Sequence, residues 1–405
     1  MSDALPLPPS PSLEQYRKLA KDIQRACQSR KPAAIEQCVR PMIENAAARG
    51  EQLPEFVRLG MDRQARRMQK QWDALQKPER LARCLLADAQ FFIARIHGFA
   101  SWPQFANHVE MLMRGEHPTA NFERAADAIV KGDIVSLEGL LRAHPDLVRA
   151  RSTREHRSTL LHYVSANGVE DFRQKTPNNI VDITRLLLDA GADVNATSDA
   201  YGGGSTTLGL AGTSVHPEQA GVQSELLELL LKRGASLEQP GYPLVKACLA
   251  NGQGPAARLL ASRGAALDLE DAAGVGRLDL VKGYFDENGK LLNGATQKQL
   301  ESGFLYACGY GRTEVAEFLL ARGVDPDVTT SHGQTALHWV AYGPHVAVAK
   351  LLLQHGANVN AKDASGRTPL QWALRTLASE LGPDEERRAR ELVELLRAAG
   401  GSESG

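Results

Sequence analysis

Gln334-Thr335-Ala336-Leu337-His338-Trp339-Val340-Ala341 opens a stretch that continues through Val346–Leu353 and closes at His355-Gly356-Ala357-Asn358-Val359-Asn360-Ala361. Threonine at the start of such a stretch caps a helix, and a Pro or a small residue is comfortable in the first turn. Small residues along the first helix allow close approach to a neighbour, and Leu351-Leu352-Leu353 on the second fills a core. Gly356 supplies the left-handed residue that ends a helix. One such helix pair cannot bury its apolar face alone, so copies must stack.

The copies are present. Arg367-Thr368-Pro369-Leu370-Gln371-Trp372-Ala373 begins the next, which ends at Glu391–Gly400. Upstream, Thr159-Leu160-Leu161-His162 goes with Leu186-Leu187-Leu188-Asp189-Ala190-Gly191, and Thr206-Thr207-Leu208 with Leu229-Leu230-Leu231-Lys232-Arg233-Gly234. Closing glycines fall at Gly191, Gly234, Gly264, Gly323, Gly356 and Gly400, separated by 43, 30, 59, 33 and 44 residues. The longest interval holds a degenerate copy, Ala272-Ala273-Gly274-Val275-Gly276-Arg277-Leu278-Asp279-Leu280-Val281, and an extra loop at 286–299. A capping copy runs from Ala125-Ala126 through Gly132-Asp133 to Leu137–Leu141. These copies resemble the ankyrin repeat, a turn and two antiparallel helices of about 33 residues. The resemblance implies an all-α helical solenoid of about eight units over residues 119–401, with a short tail at 402–405. Insertions are expected at 169–180, 213–222 and 376–388, where binding loops and simple drift are equally compatible with the sequence.

Ahead of the repeats, residues 1–12 are proline-rich and read as a flexible tail, and residues 13–118 as an N-terminal helical module. Leu81, Leu85, Ala89, Phe92 and Ile96 share one helical face; Gly98 ends that helix, and Ser101 starts the next, with Trp102, Phe105, Val109 and Leu112 inward. Ala87–Arg95 followed by Gly98-Phe99-Ala100-Ser101-Trp102-Pro103 resembles the front module of a family of bacterial ankyrin-repeat proteins, as does Ser12–Lys18. That resemblance implies a bacterial cytosolic protein and names no activity.

Composition agrees with a soluble folded chain: 43% hydrophobic, 23% charged, only 5% aromatic. No apolar run reaches the roughly 18 residues that span a bilayer, and the start lacks a secretory signal. The five cysteines, Cys27, Cys38, Cys84, Cys248 and Cys308, lack CxxC spacing and read as reduced, mostly buried thiols of a cytoplasmic protein. Residues 1–118 carry 18 Lys and Arg against 13 Asp and Glu, the remainder 29 against 35, so neither part has the excess that nucleic acid demands. The basic cluster Arg63, Arg66, Arg67 and Lys70 beside Trp72 is flanked by Asp62 and Asp73 and reads as a solvated helix face.

No enzyme motif emerges. His162 and His338 stand where the ankyrin motif uses a structural histidine. His332, His338, His345 and His355 have spacings of 6, 7 and 10, unlike a metal site, so neither metal nor cofactor is expected. Tyr201-Gly202-Gly203-Gly204-Ser205-Thr206 lacks the lysine of a phosphate loop. Trp339 and Trp372 occupy equivalent positions and read as core.

The expectation is therefore a non-catalytic, monomeric scaffold that binds a protein partner on turn tips and first helices. Carried onto this sequence, the contact set is Ser331, His332, Gln334 and Tyr342 in one repeat and Ala364, Ser365, Arg367 and Arg375 in the next, with Tyr310, and Glu155 and His156 in the first full repeat. The alternative gives the front module an activity or nucleic-acid binding, with the repeats recruiting targets.

Overall fold

The computed structural model describes residues 4–8, 11–31, 33–47, 55–75, 84–292 and 294–403. Leu81, the side chain of Arg63 and parts of both tails lie outside the described residues. The fold is all-α, and the chain divides into two compact units, Met1–Gly241 and Tyr242–Gly405.

The first unit begins with α1 (Leu13–Ser29), α2 (Ala34–Ala47), α3 (Glu55–Leu75), α4 (Leu86–Ile96) and α5 (Trp102–Leu112). Tyr16, Ile23, Val39, Trp72, Phe92, Ile93 and Phe105 form one core there. Gly98 is left-handed (φ +82°) and breaks the chain between α4 and α5, and Ser101 is the N-cap of α5. Leu85, expected on the apolar face, is instead the N-cap of α4 and exposed, because the helix starts only at Leu86. Arg66, Arg67 and Lys70 are exposed on α3 while Trp72 packs edge-on to Phe92.

Two expectations fail in this region. The tail is partly docked: Leu5 is buried, its N–H donates to the Ile96 carbonyl (2.8 Å), and its carbonyl meets His97 Nδ1 (3.0 Å). An apolar side chain with both backbone groups satisfied costs little to bury. The cysteines are not all reduced either. Cys27 at the end of α1 and Cys84 before α4 form a disulfide, with a Cα–Cα distance of 5.8 Å, because the packing of α1 on α4 brings them together.

The unit continues with α6 (Pro118–Lys131), α7 (Ile134–Ala143), α8 (Ile180–Asp189), α9 (Thr207–Gly212), α10 (Val215–Gln219) and α11 (Gln223–Lys232). The first helix of the first full repeat tightens into a 3-10 segment, Leu160–Ser165, ending on left-handed Ala166. A two-residue hairpin, β1 (Thr197–Ser198) with β2 (Ser205–Thr206), carries the glycine-rich tip. The insertion at 213–222 contains α10, and that at 169–180 contains the short 3-10 turn Asp171–Arg173.

The second unit is a succession of helix pairs: α12 (Leu244–Ala250) with α13 (Gly254–Ser262), α14 (Leu269–Val275) with α15 (Leu278–Lys282), α16 (Gln297–Gly309) with α17 (Thr313–Leu320), α18 (Ala336–Tyr342) with α19 (Val346–Gln354), and α20 (Pro369–Leu377) with α21 (Pro383–Ala398). The degenerate copy is thus a genuine pair, α14 and α15, with Asp268 as its capping residue. Leu269, Phe304, Leu319, Leu337, Leu352, Leu370 and Leu396 belong to one continuous core. All six closing glycines are left-handed, with φ between +82° and +98°.

Candidate partner-binding surface

Two repeat tips are fastened by a histidine bracket. Thr335 N–H donates to His338 Nδ1 (3.1 Å), so Nε2 carries the proton and donates to the Arg367 carbonyl of the next tip (2.9 Å). His162 does the same between Thr159 and the Ser205 carbonyl (3.1 and 3.2 Å). Burial lowers both imidazoles, His162 to about 4, which keeps the neutral form that the bracket needs. His345 Nε2 meets the Gly309 carbonyl (3.0 Å) and His355 Nδ1 the Leu351 carbonyl (2.9 Å), so each of these imidazoles serves its own backbone.

The nominated residues separate into two groups. In the first unit Glu155 and His156 are already engaged. Glu155 pairs with Arg95 of α4, and its N–H donates to the Gly98 carbonyl (3.1 Å). His156 is buried, with Nε2 3.5 Å from Glu170 Oε1. This tip is occupied by the front helices.

Behind it lies an ionic network that the sequence does not announce. Arg154, only 2% exposed, pairs with Glu123 Oε2 (2.9 Å) and with Glu170, donates to the His97 carbonyl (3.1 Å) and lies over the Phe99 ring. Arg173 pairs with Glu123 Oε2 (2.8 Å) and Asp127 Oδ1 (2.7 Å). Burial alone would raise the Glu123 carboxyl, yet Arg154 and Arg173 hold it at about 2, and they keep Glu170 well below its ordinary range. Two of the four buried members, Glu170 and Arg173, come from the insertion at 169–180, which therefore has a structural employment.

In the second unit the nominated residues are on the surface. Ser331, His332, Tyr342, Ala364, Ser365, Arg367 and Arg375 are exposed, Tyr342 to 72%, and the Ala364 N–H donates to the His332 carbonyl (2.8 Å), joining two tips. Gln334 is half-buried and accepts from Trp339 Nε1 (3.3 Å). Tyr310 is more anchor than contact: its hydroxyl donates to the Leu249 carbonyl and its ring lies on Gly254, where a Cβ would meet it at 2.7 Å.

What sequence reading undervalued is the register between them. Tyr306, Trp339 and Trp372 recur at intervals of 33 residues on α16, α18 and α20, and all three are half-buried, not core. The Tyr306 and Trp339 rings meet edge-on at 5.6 Å, and a Cβ on Gly309 would come within 2.7 Å of Trp339, so that indole rests on backbone. On α12 and α14, Lys246 Nζ lies 2.7 Å from Asp268 Oδ2 and 2.5 Å from Glu270 Oε2. Burial, then Asp268, raises Asp271 to about 7.

Residues 304–396 match the family model for ankyrin repeats, in three copies. The match runs from the second half of α16 through most of α21, and so includes Ser331, His332, Gln334, Tyr342, Arg367 and Arg375. No curated protein matches the chain. Among the described residues, no helix is long and apolar enough to cross a membrane.

Proposed function

We propose that the protein is a non-catalytic scaffold whose ankyrin repeats hold a protein partner on the tips and first helices of α18 and α20. Repeats of this kind present extended surfaces that serve recognition. The observation that carries the reading is Tyr342, a large aromatic residue 72% exposed on a first helix, with the exposed tips Ser331-His332 and Ala364-Ser365 in the same repeats and Arg375 at the corresponding place on α20. Tyr and Arg are the side chains that most often anchor interfaces. The His338 bracket and the core beneath hold the surface in place, so binding need not order it first.

The test uses the full chain immobilised for affinity capture from its native extract, followed by mass spectrometry. A partner recovered by the native protein and lost with Tyr342→Ala plus Arg375→Ala supports the reading. Retention of every captured protein by that double variant, correctly folded by circular dichroism, refutes it.

A further inference from the structure

We propose that the first-helix face of the second unit recognises a cationic segment of its partner, with an arginine or lysine side chain laid on Tyr306, Trp339 and Tyr342 and directed toward Glu270 and Asp268. The inference rests on the reading of this face as a partner surface and specifies the chemistry of what binds there.

Three observations converge on it. The aromatic side chains are contiguous: Tyr306 is edge-on to Trp339 at 5.6 Å and stacked near Tyr310 at 6.4 Å, and Tyr342 projects one turn along α18. Gly309 under Trp339, and Gly274, where a Cβ would lie 3.2 Å from Tyr306 Cβ, bring these residues down onto backbone. Aromatic faces carry the negative end of a quadrupole and attract cations, Arg above all.

The second observation is charge. Asp268 and Glu270 stand at the acidic end of the same face, with Asp271 buried in the same first turn of α14, and Lys246 is the cation paired with Asp268 and Glu270 among the described residues. Tyr306 lies within reach of this charge: besides burial, Glu270 raises its hydroxyl, Lys246 opposes that, and Asp271 and Asp268 add to it. Arg312, the next cation along, donates to the Gly274 carbonyl (3.0 Å) at the opposite end of α14.

The third is a buried acceptor without a donor. Asp271 occupies on α14 the register that Tyr306 occupies on α16; it is 1% exposed, and its Oδ1 has no hydrogen-bond partner among the described residues. Carboxylates beside aromatic faces repel an anionic ligand and give an apolar one nothing to pair with, whereas a guanidinium or ammonium satisfies both.

The experiment titrates the full-length protein with an acetylated, amidated hexa-arginine peptide at about 0.15 M salt, where surface charges beyond roughly 8 Å are screened. Isothermal calorimetry and tryptophan emission are the readouts, with hexaglutamate as the opposing probe. Hexa-arginine should bind and perturb the emission; Tyr306→Leu and Glu270→Gln should each weaken it at least fivefold, and Tyr342→Ala at least threefold. Glu314→Gln on α17, exposed on a second helix, should leave it within twofold. Tyr342 is on the surface, so its variant reports even where Tyr306→Leu disturbs the fold. Binding that is absent, matched by hexaglutamate, or weakened equally by Glu314→Gln overturns the proposal. If capture of a natural partner still depends on Tyr342 and Arg375 while hexa-arginine ignores the face, the cationic assignment falls and the scaffold reading stands.

Discussion

Glu170 shows how much one residue of an insertion can carry. It is 1% exposed, faces Arg154 and Arg173, and accepts from the Tyr163 hydroxyl (3.4 Å). Removing one partner of a buried pair leaves the other uncompensated, which typically costs about 3–5 kcal/mol. Glu170→Gln should therefore destabilise the first unit by about that amount in urea unfolding; a loss below about 1 kcal/mol would remove the network from the account. The pH dependence has a definite sign. Glu123 titrates at about 2 in the folded chain against an ordinary 4.5, so the folded state binds fewer protons in between. The network's contribution is complete above the ordinary value and lost as pH falls toward 2, and the native protein should lose stability across that window more steeply than the Glu170→Gln variant. None of this is legible in the sequence, where Glu123, Arg154, Glu170 and Arg173 are ordinary charged residues up to 50 positions apart.

Among the elements, what was readable is what is local. The Thr335 and Thr368 caps, the Leu351-Leu352-Leu353 run and the closing glycines act within one helix pair, so the pattern specifies them directly, even for the degenerate pair α14 and α15. The 3-10 form of Leu160–Ser165 and the docking of Leu5 depend on neighbours and escaped it. So did the disulfide, which links α1 to the start of α4 across 57 residues. A cross-link of that loop length stabilises by about 2–4 kcal/mol, mainly through the unfolded chain. Cys27→Ser, or reductant added to the native protein, should lower the melting temperature of the front helices, and the two treatments should not add. Identical melting of the native protein with and without reductant would contradict the link.

For the whole molecule, the front helices and the first repeats belong to one compact unit, Met1–Gly241. Cutting before residue 119 would remove the His97 carbonyl from Arg154, the Gly98 carbonyl from Glu155 N–H and the His108 ring from Thr153 Oγ1 (2.7 Å). A 119–405 fragment should accordingly lose hydrogen-exchange protection at 150–175 while residues 304–396 keep theirs. Full protection in both regions would mean that the front module is dispensable to the fold. The sequence by itself determined the repeat fold, because caps, leucine runs and left-handed glycines are decided within one helix pair, and it located the exposed tip residues Ser331-His332 and Ala364-Ser365. Only the tertiary structure decided that Glu155 and His156 face inward, that an insertion supplies half of a buried ionic network, and that Tyr306, Trp339 and Tyr342 share a face with Asp268 and Glu270. Those outcomes depend on side chains brought together from distant positions, where burial and pairing, not local propensity, set the energy.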